Sequence, residues 1–218
     1  MGSSQNDYAR RNLEAIAARW DARADSWDDA LEDADCHLNE DDAYQRFIRS
    51  AKRIISHRRR ICEKNGVIDA GCGTGLVLGE IIADFAWGRG VDISQQMIRV
   101  ARAKRISHAK FFLGDCFELS SLCPKAGAVV SRGVLLSHYG PEQSPAILAA
   151  IKDALAPGGF AIVDFLNQEG RNRHIHSPDN KTWFSRQEIR FAARQAGFSA
   201  VKILGDRNRR VLLLLAEN

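Results

Sequence analysis

The five cysteines, Cys36, Cys62, Cys72, Cys116 and Cys123, include no C-x-x-C pair, and their number is odd. This argues against a disulfide framework and a structural zinc site, and it fits a reducing compartment. With 5 prolines and 17 glycines there is no low-complexity or collagen-like composition. The longest strongly apolar run, Val211 to Ala216, is strand-length and too short to span a bilayer. The opening MGSSQNDYARR carries no apolar h-region, so no secretory leader is expected and the expected location is cytoplasmic, away from the membrane. No internal repeat is visible. Neither sign of charge dominates: 31 basic against 27 acidic residues give +4 and a pI near 8.9. That balance permits a nucleic acid or an anionic metabolite as partner and selects neither.

What remains is an ordinary globular composition, 45% hydrophobic and 27% charged over 218 residues. That length suits one domain, or one domain with an appendage. The expected division is an N-terminal helical lid over 1–60 and a core over 61–218. In the first part Leu13, Ile16, Ala17 and Trp20 fall at helical spacing. So do Tyr44, Phe47, Ile48, Ala51 and Ile55, behind a candidate N-cap at Asn39. An acidic stretch from Asp21 to Asp42, containing Trp27, separates them.

From Ile61 onward strands and helices alternate. Strands are expected at Val67–Ala70, Val91–Ile93, Lys110–Gly114, Ala128–Ser131 and Phe160–Phe165. Ser94 is placed to cap the helix after the second strand. Ser144 with Pro145 reads as an N-cap and first-turn pair for a later helix, which APGG (156–159) ends. Ser185 with Glu188 forms a capping box for another helix, stopped at Gly197. The last two strands, about Ala200–Leu204 and Val211–Ala216, are joined too closely for a crossover, so one of them runs antiparallel. The fold class is α/β, a doubly wound, mostly parallel sheet whose ligands bind at the carboxyl ends of its strands.

Three motifs stand at such ends. VIDAGCGTG (67–75) runs a strand into an acid and then into alternating glycines, which let the backbone turn and approach a ligand. A nicotinamide site would place a glycine at position 76, where this chain has Leu76. In GVDIS (90–94), Asp92 can accept two hydrogen bonds from ribose hydroxyls. In FFLGDCFEL (111–119), Asp115 can accept from an adenine amino group, beside the Cys116 backbone N–H.

In this order, followed by LAPGGFAIVDF (155–165), the motifs resemble the class I S-adenosylmethionine (SAM)-dependent methyltransferases of the small-molecule type. The resemblance covers about 61–218. It implies a seven-stranded sheet with an antiparallel last strand, SAM as cofactor and S-adenosylhomocysteine (SAH) as product. It also implies that Asp69 with Gly71, Cys72, Gly73 and Gly75 holds the methionine end, Asp92 the ribose and Asp115 the adenine. Ile93, Met97, Cys116, Phe117, Ser131 and Arg132 complete the expected cofactor-binding set. RWDARADSWDDAL (19–31) resembles the aromatic-Asp pair of the family's N-terminal lid, with Trp20 and Trp27 in place of the usual Tyr or Phe. The two tryptophans either line the cofactor pocket or only pack the lid.

The acceptor side is expected after the fourth strand, in SRGVLLSHYG (131–140). The N/D-P-P-Y/F motif of base methylation does not occur there. His138 is the first candidate general base and Tyr139 the second. Arg132 can bind an acidic group through a fork of hydrogen bonds, or serve in a structural salt bridge. The connection 167–183 carries Arg171, Arg173, His174, His176 and Lys181 against Glu169 and Asp179. The expected substrate-binding set is therefore Arg132, His138, Tyr139, Arg171, Arg173 and His174, for a small anionic metabolite. His174 and His176 alone are too few ligands for a metal site, and none is expected. Cys72 and Cys116 read as small fillers rather than nucleophiles. Three alternatives stay open: an RNA-modifying methyltransferase, a non-catalytic SAM-binding protein and a dehydrogenase. A monomer or a homodimer is expected.

Overall fold

The computed structural model describes residues 13–29, 43–134, 139, 141–173, 182–206 and 211–218. Its centre is one sheet of eight strands: β1 (Val67–Ala70), β2 (Gly88–Asp92), β3 (Ala109–Leu113), β4 (Ala126–Ser131), β5 (Leu155–Asn167), β6 (Trp183–Phe184), β7 (Ala200–Leu204) and β8 (Val211–Glu217). The strand order is β3-β2-β1-β4-β5-β8-β7. β1 to β5 are mutually parallel along this path. β8 runs antiparallel to β5, from Phe160↔Glu217 to Leu166↔Val211, and antiparallel to β7. The expected seven strands and antiparallel last strand are therefore present. The eighth strand, β6, is two residues long and pairs Leu166 and Asn167 of β5 beyond the point where β4 has ended.

β1 and β4 are buried along their whole length, as parallel strands covered on both faces must be. Seven helices are labelled: α1 (Ala43–His57), α2 (Arg59–Cys62), α3 (Leu76–Ile81), α4 (Gln95–Ala103), α5 (Leu119–Leu122), α6 (Ser144–Asp153) and α7 (Arg186–Gln195). Residues 13–21 and 27–29 are also helical. On α1, Phe47, Ile48, Ala51, Ile54 and Ile55 recur on one helical face. They share a buried cluster with Val77, Leu78 and Ile81 of α3 and with Phe160, Ile162, Leu213 and Leu215 of the sheet. α6 and α7 supply Ile147, Leu148, Ile151, Ile189 and Ala192 to a second cluster.

Several boundaries differ from expectation. Ser144 does not cap α6: it is the first helical residue, its hydroxyl donates to the Pro141 carbonyl (2.7 Å), and Gln143 takes the cap position. The turn at 141–143 runs directly into the helix, so no extended residue is left to act as a capping acceptor. APGG lies inside β5 rather than between helix and strand. β2 begins at Gly88, three residues earlier than expected. The caps at Ser94 (3.1 Å from Met97 N) and Ser185–Glu188 form as expected. The Asn39 cap lies outside the described residues.

Candidate cofactor and acceptor site

The carboxyl ends of β1, β2, β3 and β4 meet where the strand order reverses, between β1 and β4. Ligands of doubly wound sheets bind at such a switch point. After β1 the chain turns through Gly71, Gly73 and Gly75, with φ of 73°, 52° and 82°. These are left-handed values that a side chain would strain. The amides of Gly71 and Cys72 both donate to the Val91 carbonyl (2.8 and 3.1 Å), which fixes the loop to β2.

Asp92 ties the same loop from its other side. Its Oδ2 accepts from Gly73 N (2.8 Å) and its Oδ1 from Ser94 N (2.9 Å). Burial pushes its pKa up, against the opposing pull of these amides. Asp69 is 1% exposed and its Oδ2 has no hydrogen-bond partner. Burial first, and then the Asp92 charge, push it up to about 7.

The N-terminal segment lies over this loop and is held by three aspartates. Asp21 Oδ1 accepts from Ser94 Oγ (2.6 Å) and Gln96 N (3.0 Å) at the start of α4. Asp25 pairs with Arg99. Asp28 Oδ1 accepts from Thr74 Oγ1 (2.5 Å), while Oδ2 makes an ion pair with Lys104 Nζ at 2.5 Å, off the line of a hydrogen bond. Trp20 and Trp27 pack edge to face, 5.0 Å between ring centroids. Trp27 Nε1 lies 3.8 Å, and Met97 Sδ 3.9 Å, from where a Cβ on Gly73 would stand. The sequence pattern marked the aromatic-Asp pairs. It carried no signal for their partners, which lie 46 to 75 residues away.

At the end of β3, Asp115 Oδ1 accepts from Phe117 N (3.1 Å) and from the Tyr139 hydroxyl (3.4 Å). Burial raises the Asp115 pKa. Phe117 and Tyr139 meet edge to face at 5.6 Å, and Phe117 is 38% exposed. Tyr139 is buried, and burial raises its hydroxyl far above the usual phenol range. Burial likewise pushes the Cys72 and Cys116 thiols well up, which suits packing and not nucleophilic attack.

At the end of β4, Ser131 Oγ donates to the Ala70 carbonyl (2.8 Å), locking β4 to β1. Gly133 N donates to buried Asp164 Oδ1 (2.7 Å). Gly133 has φ 106°, and no described atom lies within 4 Å of where its Cβ would stand. The half-buried Arg132 sits beneath the Tyr44 ring, 5.2 Å from guanidinium carbon to ring centroid. Tyr44 escaped the sequence reading, which took it only as part of a helical stripe.

The structure thus gathers Trp27, Asp69, Gly71, Cys72, Gly73, Asp92, Met97, Asp115, Cys116, Phe117, Ser131, Arg132 and Tyr139 around the ends of four strands, with Gly75 and Ile93 in the same turns. His138, His174 and His176 lie outside the described residues. Arg171 and Arg173 fall in the 3-10 stretch Gln168–Arg173, with their side chains outside the described part. Among the described residues no three His, Cys, Asp or Glu side chains gather as metal ligands do. No helix among them is long and apolar enough to cross a membrane.

This sheet order, with its antiparallel last strand and glycine loop, is the fold of the class I, Rossmann-like SAM-dependent methyltransferases. The chain superposes on the magnesium protoporphyrin IX methyltransferase of Synechocystis PCC 6803 with bound SAH. The TM-score is 0.62 at 21% identity, over 80% of this chain and 82% of the other. Residues 67–159 match the family described as a methyltransferase domain. Two curated methyltransferases are similar to it. One is the dTDP-3-amino-3,4,6-trideoxy-alpha-D-glucopyranose N,N-dimethyltransferase of Streptomyces venezuelae, 32% identical over 49% of this chain and 45% of the relative. The other is the ubiquinone biosynthesis O-methyltransferase of Idiomarina loihiensis, 31% identical over 47% of this chain and 42% of the relative. The chain spans less than half the length of either.

Proposed function

We propose that this chain is a SAM-dependent methyltransferase that methylates an oxygen or nitrogen of a small, anionic metabolite. The observation that carries the reading is the joint of Gly73, Asp92 and Ser94, closed over by the aspartate-held segment that bears Trp27. The residues present fit the cofactor. Asp69 offers an unpartnered buried carboxylate oxygen to a cationic or donor group at the methionine end. Asp92 fixes the loop yet keeps lone pairs for two ribose hydroxyls. Asp115, Phe117 and the Cys116 amide, close together at the end of β3, would hold the adenine. One curated relative is an N-methyltransferase and the other an O-methyltransferase, which supports an oxygen or nitrogen acceptor.

The bound cofactor supplies a methyl group already electrophilic on sulfonium sulfur. The chain aligns the acceptor in line with it and excludes water. The acceptor lone pair would form the new bond to the methyl carbon as the carbon–sulfur bond breaks, with the sulfur left as a neutral thioether. A carboxylate acceptor needs no base at neutral pH. An amine or hydroxyl acceptor must lose a proton, for which His138 is the first candidate. Tyr139 suits positioning against Asp115 better than proton abstraction, because its hydroxyl holds its proton so firmly.

The expected anionic substrate rests on Arg132 and on the basic loop at 167–183. The RNA reading gains less support, because Arg58 and Arg59 of the basic run 57–60, and Arg99 and Lys104 of the basic run 99–105, are engaged in ion pairs. Calorimetric titration with SAH and with NADH tests the cofactor assignment. Saturable SAH binding with none for NADH is expected. NADH binding with none for SAH would overturn it.

A further inference from the structure

A guanidinium taken out of water needs a counter-charge or hydrogen-bond acceptors. Among the described residues several arginines meet it, including Arg186, whose Nε also lacks a hydrogen bond but lies 3.8 Å from Glu169 Oε2 and whose Nη2 donates to the Gly205 carbonyl (3.1 Å). Arg58 pairs with Glu217, Arg99 with Asp25, and Arg102 donates twice to the Phe111 carbonyl (3.1 and 2.7 Å). Arg132 is different. Its Nε is buried without a hydrogen-bond partner, and it makes no ion pair with any described residue. Among the described residues its partner is the Tyr44 ring.

The acids whose charges reach Tyr44 are committed elsewhere or fully buried. Glu80 accepts from Lys52 Nζ (2.7 Å), Asp28 is held by Thr74 and Lys104, and Asp69 lies within the glycine-loop site. Arg132 directly precedes Gly133, where no described atom lies within 4 Å of a Cβ's place, at the end of β4 and so on the expected acceptor side. A guanidinium held over a ring by its carbon leaves its two Nη–H groups free, and that pair matches a carboxylate.

We propose that Arg132, held over the ring of Tyr44 at the start of helix α1, is the anchor for a planar carboxylate of the acceptor substrate, and that Tyr44 is the positioning residue that keeps its Nη–H pair available to the cleft. This rests on the methyltransferase reading and names the acceptor's anionic group: a carboxylate remote from, or identical with, the methylated atom. The stacking face comes from Tyr44, so the ring and not the hydroxyl carries the effect. Fixing one end of the acceptor this way restricts which of its atoms can reach the methyl.

The test follows the Nε–Hε resonance of Arg132 by NMR in protein saturated with SAH, with benzoate as the probe. Arg132→Lys identifies the resonance by its disappearance. A saturable shift with benzoate is expected. Tyr44→Phe should keep the benzoate affinity, and Tyr44→Leu should weaken it about fivefold or more, the size of a lost cation–π contact.

A second arm separates the two sources of a carboxylate. SAH carries one, and 5′-methylthioadenosine does not. The motif order also implies a cofactor role for Arg132, and Arg132→Lys separates the two: if the residue serves the acceptor and not the cofactor, both affinities stay within about twofold of the parent. A loss for SAH alone would assign Arg132 to the cofactor's carboxylate and overturn the proposal. So would the absence of a saturable benzoate shift, or equal weakening by Tyr44→Phe and Tyr44→Leu. Failure of SAH itself to bind the parent protein would instead count against the methyltransferase reading.

Discussion

Asp92 spends both carboxylate oxygens on backbone amides from two different segments, Gly73 of the glycine loop and Ser94 at the start of α4. Asn at this position keeps one acceptor and turns an N–H toward the other amide. Hydrogen bonds to a charged group contribute about 1.5–3 kcal/mol each, so Asp92→Asn is expected to weaken SAH binding by about ten- to a hundredfold in calorimetry. Unchanged affinity would remove Asp92 from the site. Asp69 makes a prediction in pH. Its pKa in the folded protein is raised from the usual carboxylate range to about 7. Between the unfolded value and that one, the unfolded chain is ionised and the folded chain holds the proton. The Asp69 contribution to stability of the free protein therefore falls as pH rises from about 4 to about 7, and is flat outside that window. A cationic cofactor group favours the ionised form, so SAH binding should tighten as pH rises toward 7 and should release a proton below it. Titrations in buffers of different ionisation enthalpy measure that proton. Asp69→Asn should abolish both effects.

Two elements of the N-terminal part are held by different forces. The segment over 13–29 is attached through polar pairs at the site, above all Asp21 on Ser94 Oγ and Gln96 N. An aspartate at the start of α4 also complements the helix dipole. Asp21→Ala should free this segment to limited proteolysis and weaken SAH binding about tenfold, while thermal unfolding of the core moves little. Helix α1 is held by apolar burial instead. Phe47→Ala should cost about 3–5 kcal/mol and lower the unfolding midpoint plainly, because Phe47 is packed among Val77, Leu78 and the sheet. If both variants behaved alike, the contrast between a polar latch and a core helix would be wrong.

The same contrast explains what could be read in advance. The stripe on α1 has a period, and the capping box at Ser185–Glu188 is local. The Asp21 partners are local to nothing. The start of β2 was hidden by Gly88 and Gly90, poor strand formers by propensity. Gly90 is required there because any side chain would meet the Phe111 ring and Cys72 Sγ, at 2.5 and 2.8 Å. The Ser144 cap failed because a preceding turn, set by Pro141, already led into the helix.

For the molecule as a whole, the order of elements was legible because β-α alternation is periodic and the strand-end acids stand at fixed places relative to glycines. The sheet, its antiparallel strand and the switch point all follow from that order. Which acceptor lies in the cleft was not legible. Tyr44 and Arg132 stand 88 positions apart (132 − 44) and meet only because the first turn of α1 lies beside the end of β4. The central claim joins three parts: this cofactor, a methyl transfer and a small anionic acceptor. One experiment addresses all three together. The chain is incubated with SAM labelled in the transferred methyl group, with a pool of small metabolites and a pool of RNA offered side by side. The expected result is label in a small metabolite, either base-stable and retained on an anion-exchange column or, where the anion itself is methylated, released as methanol by mild base. Label in RNA alone, or label in neither pool while SAM binds, would contradict it.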